Sequence, residues 1–155
     1  MLIQTATTKL NPSRLQFDTR FTDACIPEAY MTRDSPSRIL IVEDEAILAM
    51  CLQDKLTDLG YGVTAMVSNG EQAVQAAAEH HPDLVLMDIK LNGRIDGVEA
   101  ARQIRQQSSI PVIFMSAYTD IDTLQRAFLT GPSGYLVKPV RLEKLSQELA
   151  RVLRQ

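Results

Sequence analysis

Three carboxylates, a hydroxyl and an amine stand where apolar runs of this sequence end. Glu43 and Asp44 follow Arg38-Ile39-Leu40-Ile41-Val42, and Asp88 closes Leu84-Val85-Leu86-Met87. Ser116 and Ala117 follow Pro111-Val112-Ile113-Phe114-Met115, and Lys138 follows Gly134-Tyr135-Leu136-Val137 and precedes Pro139. An ionised carboxylate at the end of a buried run is costly without a partner, so these groups are expected to meet. Two carboxylates ~4 Å apart repel by roughly 4 kcal/mol at an effective dielectric of ~20, and a third adds to that. Either one is protonated or a cation is present. An all-oxygen site with few protein ligands suits Mg²⁺, which keeps several waters and accepts a phosphate beside it. With the Lys138 ammonium and the Ser116 hydroxyl added, the set forms a socket for a tetrahedral dianion. Asp88 is the one member able to act as nucleophile and take up a phosphoryl group as an acyl phosphate.

The elements that must position these residues alternate from Arg38 onward. Short apolar runs, buried on both faces as in a parallel sheet, are separated by helical patterns. Ala46 to Leu59 reads as a helix with Leu48, Cys51, Leu52, Leu56 and Leu59 on its apolar face, closed by Gly60. Gly62–Val67 reads as an edge strand. Ser68-Asn69-Gly70-Glu71 reads as a capping box opening a helix to about His80, apolar at Val74, Ala77 and Ala78. His80 and His81 are expected in solvent at its end, where a cation suits the dipole. Asp96 caps a helix ending near Gln107, and Thr119 or Asp120 caps the next, which ends near Thr130-Gly131-Pro132. The last helix, Arg141 to Arg154, is apolar at Leu142, Leu145, Leu149, Val152 and Leu153. Five strand–helix pairs with short connections predict a doubly wound α/β sheet whose ligands sit beyond the carboxyl ends of the strands.

Composition agrees with one domain. The chain has 155 residues, 45% hydrophobic and 23% charged, which suits a globular core rather than disorder. A net charge of -3 and no basic run argue against direct nucleic-acid binding. No apolar run reaches the ~18 residues of a membrane span, and no signal peptide is recognisable, so the cytoplasm is expected. Cys25 and Cys51 lack metal-ligand spacing, and Cys51 is expected to be a buried reduced thiol. Residues 1–36 carry no sustained period and are broken by Pro12, Pro27 and Pro36. They read as a flexible extension with local helical turns at Leu15–Phe21 and Ile26–Met31, ahead of a domain over residues 37–155. Met31 is also placed to serve as an internal start.

The series Glu43-Asp44, Asp88, Ser116-Ala117, Tyr135, Lys138-Pro139 resembles the receiver domain of two-component response regulators, over about residues 37 to 155. The resemblance implies a flavodoxin-like fold, five parallel strands in the order 2-1-3-4-5 with five helices. It implies that Asp88 is the phosphoacceptor, charged from a phosphohistidine on a sensor histidine kinase or histidine phosphotransfer protein. Glu43, Asp44, Asp88 and the Lys90 backbone carbonyl would hold Mg²⁺. Ser116, Ala117 and Lys138 would surround the phosphoryl group, Tyr135 would be the aromatic switch, and the Lys138–Pro139 bond would be cis. The loop after Asp88 departs from the common pattern: it lacks a Pro and is one residue longer, with Asn92-Gly93 in the expansion. Lys90 and Tyr118 occupy the positions that flank the approach of hydrolytic water, so self-dephosphorylation is expected to be slow. The chain reads as a stand-alone regulator that promotes only its own phosphoryl transfer and hydrolysis. Its signal would pass by protein contact, through residues 120–129, 135–137 and 141–154. Phosphorylation-dependent pairing of two copies is one form such contact takes.

Three other readings fare worse. A phosphohydrolase of the haloacid-dehalogenase type expects a second Asp two residues after the nucleophile, where Lys90 stands. An FMN binder needs a hydroxyl- or glycine-rich loop after the first strand, where Glu43-Asp44-Glu45 would repel phosphate. A receiver fold kept only as an interaction module has no need of the intact acids, hydroxyl and Lys.

Overall fold

The computed structural model describes residues 35–117 and 121–154. The extension expected over residues 1–36 falls, as far as residue 34, outside the described residues, as do Tyr118, Thr119 and Asp120. Five strands and five helices alternate: β1 (Arg38–Val42), α1 (Ala46–Asp58), β2 (Gly62–Val67), α2 (Gly70–His80), β3 (Leu84–Asp88), α3 (Gly97–Gln107), β4 (Val112–Ser116), α4 (Ile121–Leu129), β5 (Gly134–Val137) and α5 (Leu142–Leu153). All strand pairs are parallel, in the order β2-β1-β3-β4-β5. This is the flavodoxin-like arrangement, with β2 at one edge as expected.

Period-two alternation along the strands divides the core in two. Leu40, Val42, Val85, Met87, Val112 and Phe114 face α2, α3 and α4, meeting Ala73, Ala77, Ala101, Ile104 and Ala127. Ile39, Ile41, Leu84, Leu86, Ile113 and Met115 face α1 and α5, meeting Leu52, Leu56, Leu145 and Leu149. Every residue of β3 and β4 is buried, which accounts for their unbroken apolar runs. Each large side chain so buried contributes about 1.5–3 kcal/mol. The polar residues that close these strands are held at one rigid edge of the sheet.

Several local expectations are corrected. The cap of α2 is Asn69, not Ser68: its Oδ1 accepts from the Gln72 N–H at 2.9 Å. The helix starts one residue later than expected, so Gln72 rather than Glu71 reaches back, accepting from the Ser68 N–H at 3.3 Å. Cys51 is exposed, because the buried stripe of α1 runs through Ala49, Leu52 and Leu56. Its neighbour in sequence lies about 100° away around the helix. On α2 the buried stripe is Ala73, Ala76 and Ala77, leaving Ala78 exposed and Val74 half-buried. Leu48 and Leu142 are likewise surface residues, at 36% and 39% exposure. His80 and His81 lie in solvent as expected, His81 closing α2 in the left-handed conformation at φ 46°.

Candidate functional site

β1, β3, β4 and β5 deliver their terminal residues to the same edge. Glu43 stands one residue past β1, and Asp88 is the last residue of β3; both are buried. Lys138, one residue past β5, bridges them, its Nζ donating to Glu43 Oε2 and to Asp88 Oδ2 at 2.7 Å each. The Lys138–Pro139 peptide is cis. Backbone donors complete the frame: the Lys90 N–H donates to Asp88 Oδ1 at 3.1 Å, and the Glu45 N–H to Glu43 Oε1 at 3.2 Å. Asp44 is half-buried beside them, and the three acids bring carboxylate oxygens within 4.8 Å of one another.

The electrostatics follow from this crowding. Burial pushes the Glu43 carboxyl above its ordinary value, with the Asp88 charge adding to the rise and the Lys138 hydrogen bond opposing it. Burial works against the Lys138 ammonium, but its bonds to Asp88 and Glu43 outweigh that and hold it above its ordinary value. Three carboxylates are thus gathered around the Lys138 ammonium, which bonds two of them. The donor set is all oxygen and carries excess negative charge, which fits a hard divalent cation of the Mg²⁺ kind. An open cleft of about 440 Å³ lies over the group, lined by Asp44, Glu45, Asp88, Lys90, Leu91, Asn92, Ser116, Ala117 and Lys138. It is large enough for a tetrahedral oxyanion and its waters.

The remaining expected residues divide. Ser116 and Ala117 line the cleft, with the Ser116 hydroxyl donating to the Ala117 carbonyl at 2.8 Å. Tyr135 does not line it. Its ring stacks on Phe128 of α4, with centroids 6.0 Å apart, and its buried hydroxyl meets no hydrogen-bond partner among the described residues. Leaving such a group unpaired costs about 1–3 kcal/mol, so the ring is held there by packing. Tyr118 lies outside the described residues, so the shielding expected of it has no structural counterpart here.

Two residues that shape the surroundings of this site had no part in it in the sequence reading. Asn92 donates its side-chain amide to Asp44 Oδ2 at 2.5 Å, and its backbone N–H to the same oxygen at 3.3 Å. Glu71, freed from the cap, accepts the Arg94 N–H at 2.9 Å and so ties the expanded loop to α2. The available signal was the Asn-Gly pair four residues after Asp88, a short amide donor followed by a flexible hinge.

Comparison with known proteins agrees with this geometry. Residues 39–150 match the model of the response regulator receiver domain. The transcriptional regulatory protein PdtaR of Mycobacterium tuberculosis is 39% identical over 110 residues, 71% of this chain and 53% of its own length. The chain thus spans about half the length of that relative, and 26% of another, ZraR of Klebsiella oxytoca. Among solved structures, the receiver domain of the sensor histidine kinase PA1611 from Pseudomonas aeruginosa has a magnesium ion coordinated in its active-site cleft. It is 31% identical with a TM-score of 0.72, covering 78% of this chain and 100% of that one. A putative response regulator from Chloroflexus aurantiacus is 30% identical with a TM-score of 0.72, over 78% of this chain and 100% of that one. The fold, the acidic triad bridged by Lys138 and the family match agree: the chain belongs to the response regulator receiver domains, the signalling modules of two-component systems.

Proposed function

We propose that this protein receives a phosphoryl group on Asp88 from a phosphohistidine and signals by changing its contacts with other proteins. The observation that carries the reading is the placement of Asp88: buried, at the floor of an open cleft, with its carboxylate fixed by Lys138 and by the Lys90 N–H. An Asp88 oxygen attacks phosphorus, the bond from phosphorus to the donor's imidazole nitrogen breaks, and the imidazole leaves with the electron pair and takes up a proton. Lys138 neutralises charge on the incoming oxygens, and Ser116 turns its hydroxyl from the Ala117 carbonyl toward them. Small Ala117 leaves room for the donor ring. Glu43, Asp44, Asp88 and the Lys90 carbonyl would hold Mg²⁺, which when bound offsets negative charge on the transferred group.

The donor is a sensor histidine kinase or a histidine phosphotransfer protein. The receiving surface comprises residues 120–129, 135–137 and 141–154, or its counterpart on a second copy. There Ile121, Phe128 and Leu129 of α4 are 71%, 64% and 88% exposed. Movement of Ser116 toward the phosphoryl group would make room for Tyr135 to shift and re-form this face. Among the described residues no helix is long and apolar enough to cross a membrane. With the net charge of -3, this favours a protein partner over a membrane or nucleic acid. The test is incubation with acetyl phosphate and Mg²⁺ followed by intact-mass measurement. Gain of one phosphoryl group, acid-stable and lost in mild base as an acyl phosphate is, supports the reading; an unchanged mass with both acetyl phosphate and a phosphorylated histidine donor overturns it.

A further inference from the structure

The expanded loop between β3 and α3 is clamped at both ends of its Asn-Gly pair. On one side the two Asn92 donors converge on a single oxygen, Asp44 Oδ2, at 2.5 and 3.3 Å. The described residues make no other side-chain hydrogen bond to Asp44, so its Oδ1 has no donor among them. On the other side Glu71 Oε1 accepts the Arg94 N–H at 2.9 Å, while Glu71 Oε2 is buried without a partner. Between them Gly93 has φ +143°, and a Cβ there would stand 3.0 Å from Glu71 Oε2 and 3.4 Å from Asn69 Cβ. The positive φ favours glycine there, and any larger residue would also crowd the Glu71 carboxylate. Its path is therefore set by α2, and that path carries Asn92 to Asp44.

We propose that Asn92 is a positioning residue for the cation: it fixes the Asp44 carboxylate so that one oxygen faces the divalent ion, and Glu71 holds the loop that delivers it. This inference rests on the cation reading of the acidic triad. The physical basis is general. A carboxylate ligand whose outer oxygen is hydrogen-bonded loses less rotational freedom on binding metal, and removing such an outer partner typically weakens metal affinity about 10–100-fold. Both donors use one oxygen, which leaves the other available to the ion.

The test is calorimetric titration of the full chain with Mg²⁺, alongside thermal unfolding in EDTA. Asn92→Ala is expected to weaken Mg²⁺ about tenfold while leaving the unfolding midpoint in EDTA nearly unchanged, since the side chain is exposed. Glu71→Ala should weaken it in the same direction, whereas Glu71→Gln, whose amide oxygen still accepts the Arg94 N–H, should restore wild-type affinity. In acetyl phosphate labelling, Asn92→Ala should raise the Mg²⁺ concentration giving half-maximal rate without lowering the maximal rate. Equal or tighter Mg²⁺ binding by Asn92→Ala overturns the proposal. So does a fall in maximal rate at unchanged Mg²⁺ dependence, or a Glu71→Gln variant as weak as Glu71→Ala. Absence of Mg²⁺ binding by the wild type overturns the cation reading itself, which separates the two failures.

Discussion

Asp88 carries the proposed chemistry but shares the Lys138 ammonium with Glu43, so single charges at this edge have opposed effects on reaction and stability. Asp88→Asn should block phosphorylation by acetyl phosphate, seen as an unchanged mass. Its metal-free unfolding midpoint should equal or exceed that of the wild type. The lost bond to Lys138 contributes ~1.5–3 kcal/mol. Removing one of the crowded charges returns roughly as much, at about 4 kcal/mol for a pair 4 Å apart. Labelling of that variant on another residue would sink the acceptor assignment. Glu43 gives a second test through its raised pKa, caused chiefly by burial. A carboxyl whose folded pKa lies above its unfolded value, near 4.5, favours the folded state below that value. The contribution is lost as pH rises through the folded pKa. Metal-free Glu43→Gln should therefore be more stable than wild type at neutral pH, with the gap closing as pH falls toward 4.5, the unperturbed value. A gap that widens on acidification would show the carboxylate to be stabilised rather than strained by its burial.

Gly97, the first residue of α3, lets the helix start directly against the end of β3. Its N–H donates to the Ile89 carbonyl at 3.0 Å, and a Cβ there would fall 1.9 Å from the Asp88 carbonyl oxygen. On helix propensity alone Gly97→Ala should be favourable by up to about 1 kcal/mol. Overpacking against backbone should reverse the sign and cost ~1–3 kcal/mol in urea unfolding, and a stabilised variant would refute this close approach. α4 differs from its neighbours in burying only Ala127 completely, while α5 buries Leu145, Leu149 and Val152. Its amides should exchange with deuterium faster than those of α5, because few apolar contacts oppose local opening. Equal protection of the two helices would mean that the Phe128–Tyr135 stack and the Arg126–Asp96 pair, at 3.0 Å, anchor α4 more firmly than its burial suggests. Helix faces were the least legible elements in the sequence. Cys51, Ala78 and Leu48 fit an apolar period, yet the sheet accepts only the narrower stripes beside them, because small Ala residues pack closer to the strands.

The whole molecule should respond to Mg²⁺ as a ligand bound only by the folded state. Stabilisation of RT ln(1 + [L]/Kd) amounts to about 1.4 kcal/mol at tenfold over Kd, measurable as a rise in unfolding midpoint. Asp44→Ala should remove most of that rise; an unchanged rise would place the cation elsewhere. Such linkage works because one edge of a rigid sheet collects residues far apart in sequence, and that edge was legible before any coordinates. Strands buried on both faces must be continuous apolar runs, so where Val42, Met87, Met115 and Val137 give way to polar residues the strand has to leave the core. Run length, helix period and the chemistry at each strand end are local properties. By themselves they determined the alternation of elements, the gathering of Glu43, Asp44, Asp88 and Lys138, and the need for a counter-charge. Contacts between loops and helices that no local period records were decided only by the tertiary structure. The shift of the α2 cap to Asn69 released Glu71 to hold Arg94, Asn92 came to rest on Asp44, and Tyr135 stacked on Phe128 away from the cleft. Each depends on where two segments meet in space, and a hydrogen bond of a few ångströms between distant residues leaves no period in the chain that makes it.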